Sequence, residues 1–132
     1  MNSRSIERAF VSIEEDASGW VVAFADEEFN ARQYLTLQRE KSPTAQDVAL
    51  GIDGYHVELG DQAHAGYGGI RRFELHNDHA LVEFESDDPA VAEPGATIEI
   101  TFSLRERQLN QLSRCLTKIF DAAGCFHDLT SN

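Results

Sequence analysis

His76 and His79 bracket the dipeptide Asn77-Asp78, so a tight turn there would bring two imidazoles together beside a carboxylate, half of a metal site. Zinc takes three or four ligands, and no further His or Cys stands at a supporting spacing, so ordinary exposed turn residues are the better account of the pattern. His64 lies in the glycine-rich run Gly60–Gly69, with Asp61 and Gln62 before it and Tyr67 after it. An imidazole titrates near neutrality and can move protons, but no nucleophile accompanies this one. A loop histidine bonded to backbone or to a partner meets the same description. Asp87 with Asp88, and Glu83 with Glu85, are paired carboxylates of the kind acid–base catalysts use. Glu83 and Glu85 alternate with apolar residues and stand about 7 Å apart on one strand face, which a solvated sheet face explains as well. Cys115, beside Leu116, reads as a buried free thiol, and Cys125 has no group at hand to activate it.

Stronger catalytic signatures do not occur: the chain has no GxSxG, no P-loop, no HExxH and no CxxC. Gly66-Tyr67-Gly68-Gly69 does not fit GxGxxG, and strand-like alternation follows it, whereas a dinucleotide needs a helix N-terminus for its phosphates. No catalytic residue, metal ligand or cofactor is therefore assigned. The expectation is a binding protein, not an enzyme.

The elements that would carry these residues are mostly strands. Period-two alternation runs through Ala9–Ile13, Tyr34–Gln38, Tyr55–Leu59, Arg72–Leu75, Val82–Glu85 and Thr97–Phe102. Trp20–Ala25 is apolar on both faces and predicts a central strand. Glu14–Gly19, His76–His79 and Asp87–Gly95 read as turns, and Glu40–Asp53 as a loop or short helical turn. The period changes at Ser103: Leu109, Leu112, Leu116 and Ile119 form one helical stripe, with Ser103 and Glu106 as a capping box and Gly124 as a stop. The 132 residues predict one domain with its core over about 9–120 and a tail at 121–132. The fold class is α+β: a meandering antiparallel sheet of about seven strands with one C-terminal amphipathic helix packed on it.

With Val57, Phe73, Val82 and Ile98 facing the core, their neighbours Glu58, Arg72, Glu74, Glu83 and Glu85 point outward. Adjacent strands would then present carboxylates on one wet face. Like charges directly opposite destabilise a sheet, so the pattern implies staggered register or a benefit from binding. The Gly60–Gly69 run offers a second contact, since Tyr67 supplies large area at low entropic cost. Its other reading is a tight connection whose glycines serve the backbone and whose Tyr67 folds inward.

Charge narrows the partner. The chain carries 23 acidic and 11 basic residues, a net charge of −12, and residues 51–102 hold 11 acids against two bases. Nucleic acid and anionic membrane are disfavoured, because those affinities rest on cationic side chains displacing counterions. A basic protein would be attracted and steered, while the same acidity also keeps a small protein in solution. No apolar run approaches a membrane span, the first residues lack the apolar stretch of a signal peptide, and two cysteines do not make a disulfide framework. The expected location is the cytoplasm.

The run Tyr55-His56-Val57-Glu58-Leu59-Gly60-Asp61-Gln62-Ala63-His64-Ala65-Gly66-Tyr67-Gly68-Gly69-Ile70 resembles immunity protein family 10 of bacterial polymorphic toxin systems. The order of the other pieces agrees: Tyr34–Gln38 before it, then Ile98–Phe102 leading into a leucine-striped helix that closes on Ile119-Phe120. The likeness spans about residues 9–120. It implies a small, mostly β, cytoplasmic protein that binds and neutralises a cognate protein toxin, and it brings no catalytic residues. Given the charge, a basic nuclease-like toxin domain is the expected target. The contacts expected from the residues are Glu58, Asp61, Gln62, His64, Tyr67, Glu74, Glu83 and Glu85. The alternative is an acidic secretion chaperone for an effector protein, a class that usually has helices at both ends, where this chain has one convincing helix.

Overall fold

Residues 3–51, 53–60, 64–85 and 97–131 are described by a computed structural model, residues 3, 4 and 64 by their backbone alone. Along them run β1 (Ser3–Ile6), β2 (Phe10–Glu15), β3 (Gly19–Ala25), β4 (Tyr34–Glu40), α1 (Ala45–Ala49), β5 (His56–Leu59), β6 (His64–Tyr67), β7 (Ile70–Leu75), β8 (His79–Phe84), β9 (Thr97–Thr101), α2 (Glu106–Ile119) and β10 (Phe126–Asp128). The expected α+β class holds. The strands among these residues number ten, not seven, and they form two sheets in place of one meander: β1-β9-β8-β7-β10 and β2-β3-β4-β5-β6. The second sheet is antiparallel throughout. The first is antiparallel at its centre, with β1 parallel to β9 and β10 parallel to β7 at its edges. Alternation marks which residues face inward and is silent on which sheet a strand joins. The edge strands Ser3–Ile6 and Phe126–Asp128 are too short to alternate visibly.

The chain changes sheet between β1 and β2 and again, from β6 to β7, at Gly68 and Gly69. Their φ values of 76° and 95° lie in the left-handed region, which glycine enters without a Cβ penalty. Three hydrogen bonds secure the corner. Gly68 N–H donates to the Tyr55 carbonyl at 3.0 Å, Glu85 N–H to the Gly69 carbonyl at 2.9 Å, and Ile70 N–H to the Tyr55 hydroxyl at 3.1 Å. These glycines thus serve backbone geometry, but Tyr67 does not fold inward. It ends β6, a strand in a stretch expected to be loop, with 46% of its surface exposed.

The inward residues of the two sheets meet in one hydrophobic cluster. Val22, Phe24, Leu35, Leu37, Val57 and Leu59 come from the second sheet, and Phe73, Leu75, Val82, Phe84, Ile98 and Ile100 from the first. The Phe24 ring lies 6.3 Å from Phe73 and 6.1 Å from Phe102, in the range of favourable aromatic contact. Fully burying each such side chain is worth about 1.5–3 kcal/mol. Helix α2 contributes Leu109, Leu112, Cys115, Leu116 and Ile119, and packs on β2, β3, β4 and β10. It therefore lies on the inner side of the second sheet. Arg39, inward-facing on β4, donates to the carbonyls of Ile119 and Asp121 at 3.0 and 2.7 Å, filling acceptors that a helix C-terminus leaves open.

Three local expectations shift. The helix begins at Glu106 with Arg105 as its N-cap, whose N–H is taken by Gln108 Oε1 at 3.0 Å. Ser103 does not cap it, because the chain stays extended past β9 while Phe102 and Leu104 pack on the core. The helix ends at Ile119, and Gly124 (φ 76°) sits in the turn beyond. The core expected to stop near residue 120 continues through buried Cys125 and half-buried Phe126. The turn expected at Asp87–Gly95, with the Asp87/Asp88 pair, lies outside the described residues.

Candidate functional site

Two five-stranded sheets packed inner face to inner face leave two outer faces, and the expected contact residues divide between them. Glu74 and Glu83 are on the outer face of the first sheet, while Glu58 and Tyr67 are on that of the second. Glu85 follows β8 and is exposed. Asp61 and Gln62 lie outside the described residues, as does the side chain of His64, whose backbone is in β6 opposite Leu59. The single carboxylate face expected from one sheet is thus not formed, because Glu58 belongs to a different sheet from Glu74 and Glu83.

On the first sheet, register sets two cross-strand rows: Arg72–Glu83–Thr97, and Glu74–Leu81–Glu99–Ser5. No carboxylate in either row stands directly opposite another, which avoids like-charge repulsion across strands. The centre of this face is a charge network. Arg72 Nε donates to Glu74 Oε2 at 2.5 Å, His76 Nε2 is 3.2 Å from Glu74 Oε1, and Arg72 Nη1 is 3.1 Å from His127 Nε2. Arg72, and then His76, hold the Glu74 carboxyl below the ordinary carboxylate range. Leu81 sits among these groups with 37% exposure.

The expected tight turn at His76–His79 is present. His76 N–H donates to the His79 carbonyl at 2.8 Å, and the two imidazoles stack with centroids 4.3 Å apart and planes 3° from parallel. His79 Nδ1 is engaged by Asp78 Oδ1 at 2.7 Å, and His76 by Glu74. Each imidazole has a carboxylate partner from its own hairpin. Among the described residues, no group of three or more His, Cys, Asp or Glu side chains is placed to hold a metal ion.

The second outer face has a different chemistry. Its rows are Phe10–Ala25–Tyr34, Ser12–Ala23–Thr36–Glu58–Ala65 and Glu14–Val21–Gln38–His56–Tyr67. Small and uncharged side chains fill its middle, and aromatic residues stand at its corners. Glu58, the one acid in the middle row, accepts the Tyr34 hydroxyl at 2.6 Å, and this bond pushes the Tyr34 phenol up. Gly60 is required beneath that ring, since a Cβ there would meet Tyr34 Cδ2 at 2.4 Å. His56 and Tyr67 pack edge to face at 4.9 Å, and Gln38 Nε2 lies 3.5 Å from His56 Nδ1. Val21, Gln38 and His56 were not singled out from the sequence. The signal was the run Val21, Ala23, Ala25: small residues at alternate positions of a central strand whose other face is buried.

The thiols do not contribute chemistry to either face. Cys115 and Cys125 are free and buried, and burial pushes both thiols up. A thiol kept protonated in this way is a poor nucleophile.

The fold and surface thus define a small two-sheet protein with a C-terminal helix and two open sheet faces. Residues 5–110 match the family model Immunity protein 10, and the chain belongs to that family. Membership implies an immunity protein with a toxin as its partner and suggests a non-enzymatic inhibitory role. No curated protein matches the chain. Among the described residues, no helix is long and apolar enough to cross a membrane.

Proposed function

We propose that this protein, acting in the cytoplasm as a single domain, binds a cognate polymorphic toxin and neutralises it by occluding the toxin's active or binding surface. The observation that carries the proposal is the family match over residues 5–110. The net charge of −12 supports a basic target, a nuclease-like domain being the nearest chemical fit, because an acidic inhibitor can occupy a cationic substrate channel. Occlusion requires a rigid surface, and two sheets sharing one core supply it. The test is direct mixing with the purified toxin domain encoded beside this protein. A stable complex that weakens as salt is raised is the expected result, together with restored growth when both are expressed in one cell. No complex at low ionic strength overturns the proposal.

A further inference from the structure

We propose that the outer face of the second sheet is the docking surface, and that its groove along Val21, Gln38, His56 and Tyr67 receives an arginine presented by a basic loop of the toxin. This rests on the function proposed above and adds the face and the chemistry it reads.

The groove, of about 430 Å³, follows one register row across β3, β4, β5 and β6. Its floor carries no carboxylate: it is an aliphatic side chain, an amide, and the His56–Tyr67 aromatic pair. Its rim is acidic, with Glu14, Asp16, Glu40 and Asp53 lining it from the strand ends and loops. A carboxylate-free, partly aromatic centre inside an acidic rim matches the anatomy of a protein interface, where charged residues are depleted at the core and tyrosine is a frequent anchor. The side chain that suits both parts is arginine. Its planar guanidinium stacks on aromatic rings, its stem covers apolar surface, and its forked donors meet carboxylates.

Among the described residues, none of the four rim carboxylates is in an ion pair. Arg39, which also borders the groove, spends its Nη1 on the carbonyls of Ile119 and Asp121. Lys41 is engaged by Glu15 at 3.2 Å. Ser18 and Gly19 bond the Asp16 carboxylate, which favours its ionised form. A second copy of this chain is the wrong occupant, because it would set the same acidic rim against itself. The first sheet fits less well, since charged groups occupy the centre of its face, where Arg72, Glu74 and His76 engage one another.

Two double variants test the assignment on the purified toxin domain encoded beside this protein: Glu40→Lys with Asp53→Lys, and Glu83→Lys with Glu99→Lys. Both change net charge equally, so long-range attraction weakens equally and any difference between them is local. The groove pair is expected to lower affinity at least about tenfold more than the first-sheet pair. Tyr67→Ala, which alters no charge at an exposed site, is expected to weaken binding by about tenfold or more with an unchanged melting temperature. Equal losses from the two pairs with Tyr67→Ala silent, or a larger loss from the first-sheet pair, overturn the assignment while leaving the immunity function standing. Wild-type protein that fails to bind the toxin domain overturns that function instead. The arginine subsite is then read separately, by titrating Gly-Arg-Gly and following backbone amide resonances. Shifts confined to Val21, Gln38, His56, Tyr67 and the rim residues Glu14, Asp16, Glu40 and Asp53, absent with Gly-Gln-Gly, support it, and shifts elsewhere or none overturn it.

Discussion

The two outer faces carry comparable numbers of carboxylates and use them in opposite ways. On the first sheet the acids Glu74, Glu83 and Glu99 lie at the centre, and Glu74 is engaged there by Arg72 and His76. On the second sheet the acids stand mostly at the margin, and the centre is Val21, Ala23, Thr36 and Gln38. A polar group already hydrogen-bonded to its neighbour gains little from a partner, while burying it imperfectly paired carries a desolvation cost. Uncharged area inside a charged margin loses little on burial and still attracts its partner from a distance. In an acidic protein the count of carboxylates on a face is therefore a weaker guide to docking than where on the face they sit.

That comparison depends on both faces being backs of one core, and Phe24→Ala attacks this most directly. Phe24 is fully buried and its ring lies near Phe73 and Phe102. Its truncation is expected to cost about 3–5 kcal/mol. In chemical denaturation, probes placed on the two sheets should shift together in one transition. A loss under about 1 kcal/mol, or two separated transitions, would show that the sheets do not share a core and that their faces act independently.

A smaller effect is expected where the sheets are strapped together. Tyr55 is buried, and its hydroxyl accepts from Ile70 N–H at the Gly68–Gly69 corner. Burial also pushes this phenol far up, so it stays protonated. Tyr55→Phe leaves the Ile70 N–H without its partner and should cost about 1–3 kcal/mol. Amide exchange should accelerate first at Gly68–Ile70, where the two faces join. Unchanged exchange there would remove the hydroxyl from any role in setting their relation.

The smallest effect separates the engaged charges of the first face from the open ones of the second. The folded pKa of Glu74 lies below its ordinary value of 4.5. Its contribution is therefore complete above that value and is lost as pH falls through the folded pKa. Between about pH 5 and pH 3 the wild type should lose about 0.2–1 kcal/mol that Glu74→Gln does not, the range for exposed pairs, and less at high salt. Identical acid titrations of stability for the two proteins would mean that the Arg72–Glu74 network contributes nothing.

Much of the fold was legible because its signals are short-range. Alternation at Leu35/Leu37, Val57/Leu59 and Val82/Phe84 follows from the geometry of a half-buried strand. The Leu109–Ile119 stripe, the His76–His79 turn and the buried Cys115 rest equally on neighbours a few residues apart. The candidate site was half legible. Glu58 and Tyr67 were picked out together with Glu74, Glu83 and Glu85, because each lies beside a buried residue or in the glycine-rich run. His56 and Gln38 also lie beside buried residues but are not carboxylates, and their place in the groove comes from lying beside Tyr67 and Val21 across strands.

Residue order alone was enough for the class, the strand-rich character, the acidity and the helix, since each follows from composition or from a period of two or 3.6 residues. Division into two sheets, the parallel edge strands and the grouping of outward side chains into two unlike faces arose on folding. Those features depend on which distant segments pair, as Arg72 does with Glu83 and Gln38 with His56. Pairing is settled by competition among strands of similar pattern and by the turn at Gly68–Gly69, and the core they close together selects one outcome.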